Sequence, residues 1–77
     1  MADDQRSGDP PYLVIAAALR AKIEAGEYQS GDALPSINRL SQEYGVAKTT
    51  AQKALNLLKA EGLAVGRQGW GTIVAER

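Results

Sequence analysis

Residues 45–55, GVAKTTAQKAL, gather Lys48, Thr49, Thr50, Gln52 and Lys53 into one short segment. Their chemistry is hydrogen-bond donation to anions and to the flat edges of heteroaromatic rings. Lysine donates to guanine O6 and N7 or to phosphate. Threonine offers a hydroxyl to phosphate or its methyl to the thymine methyl, and glutamine can engage adenine through both atoms of its amide. Arg39 upstream is placed to touch a sugar–phosphate backbone. Arg67 and Gln68 downstream can reach adjacent phosphates or a minor groove. Lys, Gln and Thr on a helix are also the usual make-up of plain solvated surface, so residue type alone leaves both readings open.

Other chemistry finds little support. The chain has no cysteine and no histidine, which removes disulfides, thiolate or imidazole metal ligands, and the usual general base. Acid–base work would fall to carboxylates or to Tyr12, Tyr28 and Tyr44. Asp32, Glu43 and Glu61 are scattered along the chain without a partner. There is no HExxH, G-x-S-x-G or P-loop pattern, and GRQGWG at 66–71 is not followed by a helix opening with GK[ST]. An enzyme is not expected, and neither is a cofactor or a metal.

The 77 residues permit one small domain. Net charge is zero, which argues mildly against a nucleic-acid partner. The distribution is uneven, however. Residues 1–33 hold three basic and six acidic groups, whereas residues 34–77 hold six basic and three acidic. No apolar run approaches the roughly 20 residues of a membrane span. The start, MADDQRSGDPP, is too acidic and polar for a signal peptide. It reads as a disordered lead over 1–10, ahead of a folded domain over 11–77, and a cytoplasmic location is expected.

The elements that must position the donors follow from periodicity. Ile15, Leu19 and Ile23 recur every fourth residue, with Tyr12 and Ala16 beside them, predicting a helix from Tyr12 to Ala25 that Gly26 ends. EYQSGDALPS reads as a connection. Ser36 is a plausible N-cap for a short helix from Ile37 to Tyr44, with Ile37, Leu40 and Tyr44 on one side and Gly45 closing it. After a tight turn, a third helix runs from Lys48 to Ala60, its apolar positions being Ala51, Ala54, Leu55 and Leu58. LAV and TIV are then two short β-prone runs around the glycine-rich GRQGWG, a hairpin pattern. The expected fold is mainly α with a small β-hairpin: a winged helix-turn-helix. Leu63, Val65, Ile73 and Val74 would cover the helices. The rest of the core would come from Ile15, Leu19, Ile23, Leu34, Leu40, Val46, Ala54, Leu55 and Leu58. In such a fold the start of the third helix is the part offered to a DNA major groove.

The stretch LPSINRLSQEYGVAKTTAQKALNLLKAEGLAVGRQGWGTIVA, preceded by YLVIAAALRAKIEAGEYQSGDA, resembles the DNA-binding domain of the GntR family of bacterial transcriptional regulators. The resemblance covers about residues 11–75 and rests on the order and spacing of LPS, YGV, TT..KAL..L..EGL and QG.GT.V. It implies a DNA-reading set with several departures. The family's arginine three residues after the proline of LPS is here Asn38, with Arg39 one position later. The serine or threonine that caps the recognition helix is Ala47, a loss of about 1 kcal/mol. The base-reading arginine is Lys48, a weaker bidentate donor. Thr49 and Thr50 match, a commonly hydrophobic position is Ala51, and a frequent arginine is Gln52. Gln68 and Gly69 match the groove-contacting wing tip, with Gly71 and Thr72 continuing the pattern. Trp70 stands where a small or basic residue is common, and is expected to plug against the third helix.

What the resemblance implies is sequence-specific binding of double-stranded DNA at a palindromic operator, as a homodimer on the DNA and as a repressor. The departures point to an unusual operator or weaker affinity. The family also implies a C-terminal domain that binds a small-molecule effector and forms the dimer. These residues would then be the DNA-binding portion of a longer regulator, or else a minimal stand-alone member. The rival reading is a winged-helix protein-interaction module without direct DNA binding, motivated by zero net charge and the missing arginines at 38, 48 and 52.

Overall fold

The computed structural model describes residues 9–69 and 71–76. Most of the expected N-terminal lead, and the expected plug at Trp70, lie outside them. Helix α1 spans Pro11–Glu24, α2 Ile37–Tyr44 and α3 Lys48–Ala60, followed by strands β1, Ala64–Arg67, and β2, Gly71–Val74. The winged helix-turn-helix expected from the sequence is the observed fold.

Each helix starts and stops for a local reason. Pro11 occupies the first helical position of α1, where its missing N–H costs nothing, and the Pro10 carbonyl accepts from Leu13 N–H at 3.0 Å. On α2, Ser36 Oγ accepts the Arg39 N–H at 3.1 Å, and Gly45 ends the helix at φ 66°, a left-handed conformation that a Cβ would strain. The Ser41 hydroxyl then donates to the Val46 carbonyl at 2.6 Å, tying the three-residue turn back onto α2. Helix α3 closes with paired bonds from Gly62 N–H to Lys59 O and from Leu63 N–H to Leu58 O, both 3.0 Å, which turn the chain into β1.

The core lies where α1 and α2 pack against α3 and β1 closes over α3. Ile15, Leu19, Leu40, Leu55, Leu58 and Val74 fill it, each essentially without solvent contact. Ala16 on α1 and Ala51 and Ala54 on α3 are also fully buried, and such small side chains let helix backbones approach closely. Among the described residues no polar or charged side chain is buried.

Two expectations about packing need correction. Val65 does not cover the helices: it is 44% exposed, and its neighbour Ala64 takes the inward place. The register sets Ala64 against Val74 and Val65 against Ile73; Ile73, bridged by Ala33, is buried all the same, so of that pair only Val65 is left to solvent. Tyr44, the last residue of α2, stays exposed where the chain turns at Gly45, as its absence from the expected core set implies. The segment before α2 is more than a connection. Ala33 bridges Ile73, Leu34 N–H donates to Thr72 O, Gly31 N–H donates to Val74 O, and Val74 N–H donates to Asp32 O, each bond at 2.9 Å. Residues 31–34 thus lie along the free edge of β2, which fixes the wing beside the start of α2.

Candidate nucleic-acid interface

That edge pairing creates the site. Pro35, Ser36, Ile37 and Asn38 at the start of α2 form one wall of an open groove of about 640 Å³. Gly71 and Thr72 at the start of β2 form another, and Lys48, Thr49 and Gln52 project into it from the first turns of α3. Lys48, Thr49 and Gln52 follow the i, i+1, i+4 spacing that shares one side of a helix, with the buried Leu55 completing the floor.

The start of α3 is electrostatically incomplete. Ala47 is its N-cap, with φ −66° and ψ 154°, and makes no side-chain cap. The Thr50 and Ala51 N–H groups both donate to the Ala47 carbonyl, at 3.0 and 3.2 Å. The first turn has no acidic residue, and its one charge is Lys48, at the positive end of the helix dipole. Among the described residues, the Lys48 and Thr49 N–H groups have no acceptor. Free amides, the dipole and an ammonium group at one point favour an anion such as phosphate.

Of the residues expected at the site, Asn38, Lys48, Thr49 and Gln52 come together in the groove. The others surround it or face elsewhere. Arg39 is exposed but pairs with Glu43 one turn on, Nε to Oε2 at 3.0 Å. Thr50 is half-buried and Ala47 exposed at the helix start. Lys53 points toward α1, its Nζ lying 4.8 Å from the centre of the Tyr12 ring. Arg67, Gln68 and Gly69 are exposed on the hairpin. Gln52 is not free: its Nε2 donates to Asn56 Oδ1 at 2.9 Å. The groove positions of Pro35 and Thr72 were not foreseen as site residues. The only hint was their place in the LPS and QG.GT motifs, which says nothing of a shared wall.

The model for the gntR family of bacterial regulatory proteins matches residues 11–74. The chain belongs to this family. The mannosyl-D-glycerate transport/metabolism system repressor MngR of Escherichia coli K12 is 40% identical over 67 residues, covering 87% of this chain and 28% of the repressor. The crystal structure of the AraR DNA-binding domain in complex with operator ORR3 superposes with a TM-score of 0.81 at 33% identity, covering 86% of this chain and 80% of that one. YtrA from Sulfolobus acidocaldarius, a GntR-family transcription factor, gives 0.83 at 36% identity, covering 91% and 60%. The chain spans 28% and 30% of the lengths of the first two curated relatives it matches. As a gntR-type winged helix-turn-helix it is a regulatory domain that binds DNA sequence-specifically, not a catalytic one. Among the described residues no helix is long and apolar enough to cross a membrane. Among them, too, no acidic cluster could hold a metal ion.

Proposed function

We propose that the chain reads a duplex operator with the first turns of α3 and represses transcription from it. The observation that carries this reading is the uncapped start of α3, where Lys48 and Thr49 open onto a groove bounded by Asn38 and Thr72. Lys48, Thr49, Gln52 and Asn38 face base edges. Arg39, Arg67, Gln68 and Gly69 hold the sugar–phosphate backbone, with Lys53 at the periphery and Ala47 and Thr50 setting the helix start. The repressor sense draws on relatives such as MngR, a repressor by name. One module of this kind covers only about 600–1,000 Å² of interface. Tight binding therefore calls for two copies on a palindromic site, a homodimer on DNA. A small-molecule effector would act through a further domain of a longer protein.

Titration of the chain against duplex DNA at two salt concentrations tests the reading. Affinity should fall steeply with salt, as expected when phosphate contacts release counterions. Lys48→Ala should narrow the gap between matched and mismatched sites, whereas Arg39→Ala should weaken all sequences alike. No binding at low salt, or binding indifferent to salt, would overturn the proposal in favour of a protein-interaction module, the rival that zero net charge motivates.

A further inference from the structure

We infer that Lys59, near the end of α3, holds a phosphate of the DNA strand laid between α3 and the hairpin, and that Gly66 leaves it the room to do so. The inference rests on the DNA-reading role proposed above for α3. Among the described glycines, Gly66 alone has no positive φ. Its backbone therefore gives no reason for a glycine, and a glycine inside a strand weakens it unless something approaches closely. Here the lysine approaches. A Cβ on Gly66 would lie 3.5 Å from Lys59 Nζ and 3.9 Å from its Cε, so the lysine reaches over the strand into space a larger side chain would fill.

That space is on the groove side of the hairpin. Gly66 and Thr72 are cross-strand partners, so their side-chain positions share one face of the sheet, and Thr72 lines the groove. On α3, Lys59 stands eleven residues after Lys48 and seven after Gln52, which returns it to within about 20° of each around the helix. It continues the stripe that opens onto the groove, and its stem leans back toward the start of α3. No carboxylate lines the groove. Among the described residues no acidic side chain pairs with Lys59, and Glu61, two residues on, is taken by Arg20. An ammonium is a compact point charge with three donors on a flexible stem, so holding a phosphate asks for nearness and no fixed orientation. Such a contact adds affinity without reading sequence.

The test is titration of the 77-residue chain and its variants against matched and mismatched duplexes at about 50 and 200 mM salt. Each phosphate contact contributes about 0.9 to the slope of log affinity against log salt. Lys59→Ala should weaken both duplexes by the same factor, and its loss of affinity over that salt range should be about three- to fourfold smaller than the parent's. Lys59→Arg should keep the parent's slope. Gly66→Val suits a strand but fills the space, so it should lower the slope as Lys59→Ala does, and no further when the two are combined. Lys22→Ala removes an exposed charge from α1 and should leave the slope unchanged. Circular dichroism confirms that each variant is folded at the temperature of titration. The parent's slope in Lys59→Ala or in Gly66→Val, or an equal loss in Lys22→Ala, overturns the inference while leaving α3 as the reading helix. No DNA binding by the parent chain removes both.

Discussion

Helices α2 and α3 begin with nearly the same backbone geometry but different caps. Ser36 sits at φ −71°, ψ 164° and Ala47 at φ −66°, ψ 154°. At the first, the hydroxyl accepts the Arg39 N–H at 3.1 Å; at the second, a methyl group accepts nothing. Ala47→Ser should therefore place an oxygen within reach of the Thr49 or Thr50 N–H without moving the chain. A serine cap is worth about 1 kcal/mol over alanine, with a range of about 0.5–2. For a domain of this size that gain raises Tm by about 4–8 °C. Thermal melting followed by circular dichroism gives the shift, and urea unfolding with an unchanged slope attributes it to stability. Ser36→Ala is the mirror control, expected to lose a similar amount. If Ser36→Ala destabilises while Ala47→Ser leaves Tm unchanged or lowers it, the similar backbone angles do not make similar cap sites, and the argument fails.

Two further substitutions examine the core and the edge of the site. Leu58 is fully buried, so Leu58→Ala should cost about 2–5 kcal/mol. A core this small rarely supplies more than about 3–5 kcal/mol, so the variant should be largely unfolded at room temperature by circular dichroism; a cooperative melt within a few degrees of the parent would contradict it. Lys53→Ala removes an ammonium held over the Tyr12 ring, a contact worth about 0.5–1 kcal/mol at an exposed site. It should lower Tm slightly and change affinity for matched and mismatched DNA by the same factor, which a competition assay can check.

Helix limits were legible because they depend on neighbours in the chain. Ser36 and Gly45 bracket α2, and α3 runs from Lys48 to Ala60 as its apolar spacing predicts. Strand facing was not legible, since a two-fold period over LAV fits either phase when Leu63, Ala64 and Val65 are all apolar. The choice is made at a distance, by the register that sets Ala64 against Val74. The bridge from Ala33 to Ile73 was hidden for the same reason: backbone hydrogen bonds leave little trace in side-chain types. The segment that opens α3 onto the groove was legible as a unit. The division of labour within it was not, because Lys53 and Gln52 differ in what they meet across space and one turn away, Tyr12 for one and Asn56 for the other.

Zero net charge is compatible with a DNA-reading face because charges act locally. Glu61 is engaged by Arg20 in a two-point contact, Nε to Oε1 at 3.0 Å and Nη2 to Oε2 at 2.8 Å, just beyond the C-terminal end of α3. Thirteen residues of helix put it roughly 20 Å from Lys48 along the axis. That is more than twice the Debye length of about 8 Å at physiological salt, so this carboxylate does little to cancel the ammonium at the groove. Glu43 is nearer to the residues proposed to face DNA, through its pair with Arg39. Both partners are well exposed, at 69% and 49%, and an exposed i,i+4 pair is worth only about 0.3–0.5 kcal/mol. A phosphate offers Arg39 a stronger, charge-assisted partner with more acceptor oxygens, and the guanidinium can exchange one for the other at small cost. Glu61 and Glu43 therefore count in the total charge of the molecule without cancelling the field where α3 opens onto the groove.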